Sequence, residues 1–282
     1  MRNSGEAVIL VTGATDGLGR LTARDLAAAG ATVLLHGRDP ERGEAAVREI
    51  HEETGNDRLH YYLADFSSLE EVRRLADQIM SDHDRLDVLV NNAGIGAVRR
   101  DEASRSWSRD GYELRFAVNY LAPFLLTRLL LPLVQRSAPS RIVNVASAGQ
   151  SPIRFDDVML ERGYEGMRAY AQSKLALVMF TFDLAAELEG TGVTANSLHP
   201  ASLMDTKMVF ETFGSASSSV REGTDATVRL AVSRELEGVT GRYFDGQREA
   251  HADEQAYDPE ARDRLRRLSE ELTGLRATGT TS

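Results

Sequence analysis

The chain has no cysteine, so disulfides and thiolate catalysis are both excluded, as fits a cytoplasmic protein. Positive charge is also scarce: 33 lysines and arginines stand against 43 acidic residues, a formal charge of −10. That balance argues against nucleic acid or an anionic membrane as the main partner. The basic runs Arg99-Arg100 and Arg264-Leu265-Arg266-Arg267 are short and mixed with acids, as solvated faces are. No signal-peptide pattern opens the chain, since the apolar run Val8–Val11 is far too short. The longest apolar segment, Ala117–Val134, is interrupted by Asn119, Pro123, Arg128 and Pro132. It reads as a buried helix, and no membrane span is expected. The histidines show no metal spacing: His51-Glu52-Glu53-Thr54-Gly55 lacks the second histidine of a zinc helix, so no metal is expected. With neither repeats nor a Pro/Gly/Ser-rich linker, the 282 residues predict one large α/β domain over 1–276 and a disordered tail over 277–282.

What is present is an alternation of strands and helices. Short apolar runs at Val8–Thr12, Thr32–His36, Leu59–Ala64, Leu86–Asn91, Arg141–Ala146, Val193–Leu198 and Arg242–Phe244 read as strands. Helical periodicity fills the intervals at Leu18–Ala29, Pro40–Glu53, Leu69–Met80, Gly111–Gln135, Met167–Glu189, Ala226–Ser233 and Pro259–Leu272. Asp39-Pro40 and Asp258-Pro259 each supply a cap and a first-turn proline, and Ser67-Ser68-Leu69-Glu70 has capping-box spacing. The expected fold is a doubly wound, seven-stranded, mostly parallel Rossmann-type sheet with helices on both faces. Ligands of such sheets bind beyond the carboxyl ends of the strands.

Thr12-Gly13-Ala14-Thr15-Asp16-Gly17-Leu18-Gly19 stands at the first such end, between strand one and helix one. Its glycines let backbone approach a pyrophosphate, and the helix start offers free N–H groups. Gly13, Thr15, Asp16, Gly17, Leu18 and Gly19 are therefore candidate nucleotide contacts, although a tight strand–helix turn alone would also want glycine. Strand two ends in His36-Gly37-Arg38 without the carboxylate that would select NAD; Arg38 suits a 2′-phosphate. NADP(H) is favoured, with NAD(H) the alternative; Asp16 adds the one opposing charge in the loop.

Tyr170-Ala171-Gln172-Ser173-Lys174 lies on a helix, where positions i and i+4 share a face. A nearby ammonium favours a phenolate, so Lys174 is expected to depress the Tyr170 pKa and make it a proton shuttle at neutral pH. An ordinary surface pair is the competing reading. Ser147, at the end of the apolar run Ile142–Ala146, would face the crevice where a substrate carbonyl could lie, unless it merely forms a turn. Asp156-Asp157 reads as a cap or solvated turn, Trp107 as core or lid packing, and Phe210–Gly223 as a mobile lid or part of one. The stripe Leu265, Leu268, Leu272 and Leu275 should dock the last helix on the domain.

With these features in order, the chain resembles the compact, single-domain branch of the short-chain dehydrogenase/reductase family over nearly its full length. Asn91-Asn92-Ala93-Gly94 matches the family's NNAG signature, and Asp65-Phe66 follows strand three where the family's Asp meets adenine. The resemblance implies cofactor contacts from Asp65, Phe66, Asn91, Ala93, Gly94 and Pro200, and a catalytic set of Asn119, Ser147, Tyr170 and Lys174. In that set Lys174 and Tyr170 also meet the nicotinamide ribose, Ser147 holds the carbonyl oxygen, and Asn119 holds a water in the proton relay. His199-Pro200-Ala201 departs from the family's Pro-Gly, and Thr206 comes one residue later than the usual nicotinamide-contacting Thr. The long interval from Ser147 to Tyr170 and the stretch Gly238–Phe244 look like the retinol-dehydrogenase subgroup, which implies small lipophilic carbonyls or primary or secondary alcohols as substrates. The family also forms homodimers and homotetramers. An epimerase or dehydratase, or a nucleotide sensor without turnover, are the rival functions.

Overall fold

The computed structural model describes residues 4–97 and 105–275. Arg99-Arg100 and the expected tail fall outside them.

The chain alternates through β1 (Val8–Val11), α1 (Gly17–Ala28), β2 (Thr32–Gly37), α2 (Pro40–Thr54), β3 (Leu59–Leu63), α3 (Leu69–Asp82), β4 (Val88–Asn91) and α4 (Leu114–Arg136). It continues through β5 (Ser140–Val145), α5 (Gly166–Glu187), β6 (Val193–His199), α6 (Lys207–Phe213), α7 (Val220–Val232), β7 (Tyr243–Asp245), β8 (Arg248–Ala250) and α8 (Pro259–Thr273). The strands form one sheet in the order β3-β2-β1-β4-β5-β6-β7-β8, parallel except for the last pair. Strand order reverses between β1 and β4, which opens the crevice at their carboxyl ends. β1, β4 and β5 are buried along their whole length, as continuous apolar strands covered on both faces should be. One core joins the sheet to α3, α4, α5 and α8; the other joins it to α1, α2 and α7.

The sheet has eight strands where seven were expected. β8 is a three-residue edge strand, Arg248–Ala250, reached through Gly246-Gln247, and its charged sequence carries no apolar signal. The capping box sits one residue later than expected: Ser68 caps α3 by accepting from the Glu71 N–H. α7 likewise starts at Val220, capped by Ser219, so the segment read as a lid holds the end of α6 and the first turn of α7. Asp39 and Asp258 cap α2 and α8 as expected.

α3 shows why such segments fold as they do. Leu69, Val72, Leu75, Ala76 and Ile79 recur at helical spacing and are buried, each large side chain contributing about 1.5–3 kcal/mol. α4 is long and apolar enough to cross a membrane, and 78% of its apolar window is buried within the protein. Its turn Ala117–Leu121 is a π-helical widening, with the Ala122 N–H reaching back to the Ala117 carbonyl.

Candidate active site

The glycine loop closes over the crevice at very short range. A Cβ on Gly19 would stand 2.1 Å from the Gly13 carbonyl oxygen, and one on Gly13 would stand 2.8 Å from the Ala93 Cα. Gly13 and Gly17 also take φ of +66° and +49°, values that suit glycine. Asp16 caps α1 by accepting from the Gly17 N–H at 2.8 Å and pairs with Arg42 at 2.7 Å, which balances the charge it brings. Leu18, Pro200 and Met204 converge on the space beside Gly223, and Thr206 reaches within 3.4 Å of where a Gly17 Cβ would be.

Sequence reasoning missed two residues that shape this loop. His36 is buried, with Nδ1 3.3 Å from the Gly13 N–H and Nε2 3.0 Å from the Ala64 carbonyl. The first contact needs an acceptor and the second a donor, so the ring is neutral with its proton on Nε2. Burial lowers its pKa from 6.5 to about 4. Asn92 donates to the Thr12 and Gly13 carbonyls at 2.8 and 3.2 Å, tying the end of β4 to the loop. A histidine ending an apolar strand, and the second Asn of the pair, were the available signals.

The other expected nucleotide contacts are placed unequally. Arg38 is exposed and makes no hydrogen bond or ion pair among the described residues, beside a Gly37 so close to Thr15 that a Cβ would stand 2.5 Å from its methyl. Asp65 accepts from the Ser67 N–H at 2.9 Å and pairs with Arg109 at 3.2 Å. Phe66 is buried and stacks on His36 with centroids 4.2 Å apart. Asn91 points into the core, donating to Thr127 and Asn144 at 2.9 and 2.8 Å, and is 2% exposed. Its side chain braces β4 against β5 and α4 instead of facing the crevice. The partnerless Arg38 and the close-packed glycine cradle fit a phosphorylated dinucleotide.

Ser147, Tyr170 and Lys174 come together where β5 ends against α5. The Ser147 Oγ accepts from the Gly149 N–H at 3.1 Å and interacts with the Tyr170 phenol. Lys174 donates from Nζ to the Val145 carbonyl at 2.9 Å, and its ammonium lies 5.8 Å from the Tyr170 ring centroid. Gly94 separates this group from Asn119: a Cβ there would be 3.5 Å from the Lys174 Nζ and 3.2 Å from the Asn119 Oδ1. The Asn119 amide is fully engaged, accepting from the Ile95 N–H at 2.8 Å and donating to the Ile95 carbonyl and Ser173 Oγ at 3.1 and 3.0 Å. Its carbonyl lacks the usual α-helical donor, because Pro123 four residues on has no N–H.

One expectation is corrected here. Tyr170 is raised above its ordinary pKa, because burial outweighs the Ser147 hydrogen bond that acts the other way. Lys174 gives no resolved help, being itself lowered to about 8 by the same burial and held to the Val145 carbonyl. Trp107 is half exposed and stacked under the Arg105 guanidinium at 3.9 Å, so of its two expected places the core is ruled out. Asp157 caps a turn as expected, accepting from the Glu161 and Arg162 N–H groups at 2.7 and 3.0 Å.

A hydroxyl, a phenol and an amine converging beside a nucleotide cradle define an oxidoreductase of the dinucleotide-binding α/β class. The chain belongs to the short-chain dehydrogenase/reductase family: the family model described as short chain dehydrogenase matches residues 7–215. It falls in the retinol-dehydrogenase-like subgroup, being 40% identical to retinol dehydrogenase 13 of Mus musculus over 285 residues, 95% of this chain and 84% of that protein. Among solved structures, a short chain dehydrogenase from Shigella flexneri complexed with NADP superposes with a TM-score of 0.70 at 28% identity. That match covers 86% of this chain and 97% of the other. A short chain dehydrogenase from Escherichia coli complexed with NADPH gives a TM-score of 0.70 at 29% identity, with 86% and 97% covered.

Proposed function

We propose that the protein is an NADP(H)-dependent oxidoreductase that interconverts a small lipophilic carbonyl compound and its alcohol. The observation that carries this reading is the convergence of Ser147, Tyr170 and Lys174 at the carboxyl end of β5, beside the glycine cradle. Partnerless Arg38 and the NADP and NADPH held by the solved relatives support the phosphorylated cofactor over NAD(H).

The nicotinamide supplies or accepts the hydride when bound. Ser147 donates a hydrogen bond to the carbonyl oxygen, turning its proton from the Tyr170 phenol while its oxygen keeps accepting from the Gly149 N–H. Tyr170, kept protonated by burial, gives its proton to the developing alkoxide in reduction. Oxidation needs the phenolate, so it gains with rising pH while reduction proceeds at neutrality. Lys174 binds ribose hydroxyls when the cofactor is present, and the Asn119 carbonyl holds the water that returns a proton. Asp65, Phe66, Asn92, Ala93, Gly94 and Pro200 shape the nucleotide's bed. Exposed Met167, one turn before Tyr170 on the same face, and exposed Met208 and Phe210 on α6 suit a lipophilic substrate.

The test is NADPH absorbance with a panel of carbonyl compounds. Net consumption of NADPH upholds the reading. Product without net consumption favours an epimerase, and binding without turnover favours a sensor.

A further inference from the structure

Ser147 is fixed both by its own turn and by a residue far along the chain. Its carbonyl accepts two hydrogen bonds, from the Gln150 Nε2 at 2.8 Å and from the Tyr243 hydroxyl at 3.1 Å. Gln150 is anchored in turn by the Asp253 N–H, which donates to its Oε1 at 2.9 Å. Tyr243 is 4% exposed and projects from β7 into the core shared with α5, while the next residue, Phe244, projects into the opposite one. β7 is registered on β6 through Ser197 opposite Tyr243, and Asn196 secures the approach by accepting from the Arg242 N–H at 3.0 Å and donating to the Val239 carbonyl at 2.7 Å. The phenol therefore arrives under the Ser147 turn from a strand that has no freedom to slide.

We propose that Tyr243, acting with Gln150, is a positioning residue for Ser147. The two donors fix the plane of the Ser147–Ala148 peptide, and with it the direction in which the Ser147 hydroxyl is presented to a substrate oxygen. This gives the stretch Thr240-Gly241-Arg242-Tyr243-Phe244 a mechanical role: it delivers one hydroxyl to one carbonyl, 96 residues back in the chain. Tyr243 stays a donor throughout the working range, because burial and the nearby Asp245 carboxylate hold its pKa above the ordinary value; Tyr170 and Tyr257 are the other ionisable groups that face it. Removing the hydroxyl leaves the ring in the core and the Ser147 carbonyl with a single donor, so the serine loses aim while the fold persists.

The proposal rests on the reading of Ser147 as the donor to the carbonyl oxygen, and a double-mutant cycle separates the two. Tyr243→Phe should lower kcat about tenfold, with NADPH affinity by fluorescence titration and the thermal unfolding midpoint near those of the parent. In a Ser147→Ala background the same substitution should change kcat by less than about twofold, because the group it aims is gone. Gln150→Met, which removes the other donor, should behave the same way and serves as a second probe should Tyr243→Phe unfold. A Tyr243→Phe protein with unchanged kcat, or a defect that multiplies fully onto Ser147→Ala, overturns the proposal alone. Full activity in Ser147→Ala by itself overturns the reading of Ser147 and the proposal with it.

Discussion

The two halves of the sheet are held in different ways. On the nucleotide side, β1, β2 and β3 repeat one strand–turn–helix unit, and capping groups lie within a few residues of the N–H they satisfy, as Asp16, Asp39 and Ser68 do. On the catalytic side the decisive contacts span the chain: Tyr243 to Ser147, Gln150 to Asp253, Ile153 to Gln255 at 2.6 Å, and Tyr120 to Ser269 at 2.6 Å. The nucleotide half is thus built mostly by local rules, with His36 and Asn92 reaching the loop from further along, whereas the catalytic half also needs closure by β7, the segment after β8, and α8. Damage should spread differently in each: a local change on the first side removes binding, whereas on the second it removes turnover and leaves binding alone except at Lys174, which meets the ribose.

Tyr170→Phe is the largest expected break in that contrast. Losing the proton donor should reduce turnover by about 10²–10⁴-fold, with NADPH affinity nearly unchanged in a direct titration. Substantial residual turnover would remove Tyr170 from its role. Gly19→Ala is the counterpart on the nucleotide side. Its Cβ would stand 2.1 Å from the Gly13 oxygen and 2.4 Å from the Asn92 Nδ2, so the loop must deform. NADPH affinity should fall by more than about tenfold while the catalytic cluster keeps its geometry. Unaltered affinity would mean that the loop is only a turn.

The same contrast explains what could be read from the sequence. The cradle, Arg38 and the Tyr170/Lys174 spacing are local patterns with a fixed period or a fixed turn, and each stands where it was expected. The direction of the Asn91 side chain could not be read, because two adjacent asparagines point opposite ways at a strand end: Asn91 braces the core and Asn92 grips the loop. β8 escaped because an exposed edge strand of Arg248-Glu249-Ala250 needs no apolar residue. The direction of the Tyr170 shift was also out of reach, since spacing places an amine near a phenol but says nothing of how much water surrounds both. Tyr243 and Gln150 were invisible for a different reason: their partner is a backbone carbonyl, which leaves no mark on composition.

Each half also buries a base, and the titrations of His36 and Lys174 sharpen the comparison. His36 titrates near 4 in the folded chain and near 6.5 when unfolded. Between those values the unfolded state binds more protons, so this ring's contribution to stability is complete above pH 6.5 and falls as pH drops toward 4, by about 3 kcal/mol. Lys174 is the same case at alkaline pH, moving from 10.5 to about 8 in the cofactor-free chain. Stability should therefore rise with pH across that second interval. Urea midpoints against pH for the parent and for His36→Asn should differ in slope only in the acid window. Parallel curves there would show that the ring is not the buried neutral base that holds Gly13.

The smallest effect is the most selective. Arg38 contributes nothing to the fold that the described residues reveal: its guanidinium is exposed and without a partner, so its removal should leave the unfolding midpoint unchanged. A charge-assisted bond to a 2′-phosphate contributes about 1.5–3 kcal/mol, and NADH offers no such group. Arg38→Ala should then weaken NADPH by roughly ten- to a hundredfold and leave NADH where it was. Arg42 stands nearby, paired with Asp16, and would retain part of the phosphate attraction, which keeps the loss toward the lower end of that range. Equal weakening of both cofactors would instead place Arg38 against the adenine face, where its contact is stacking and blind to the phosphate.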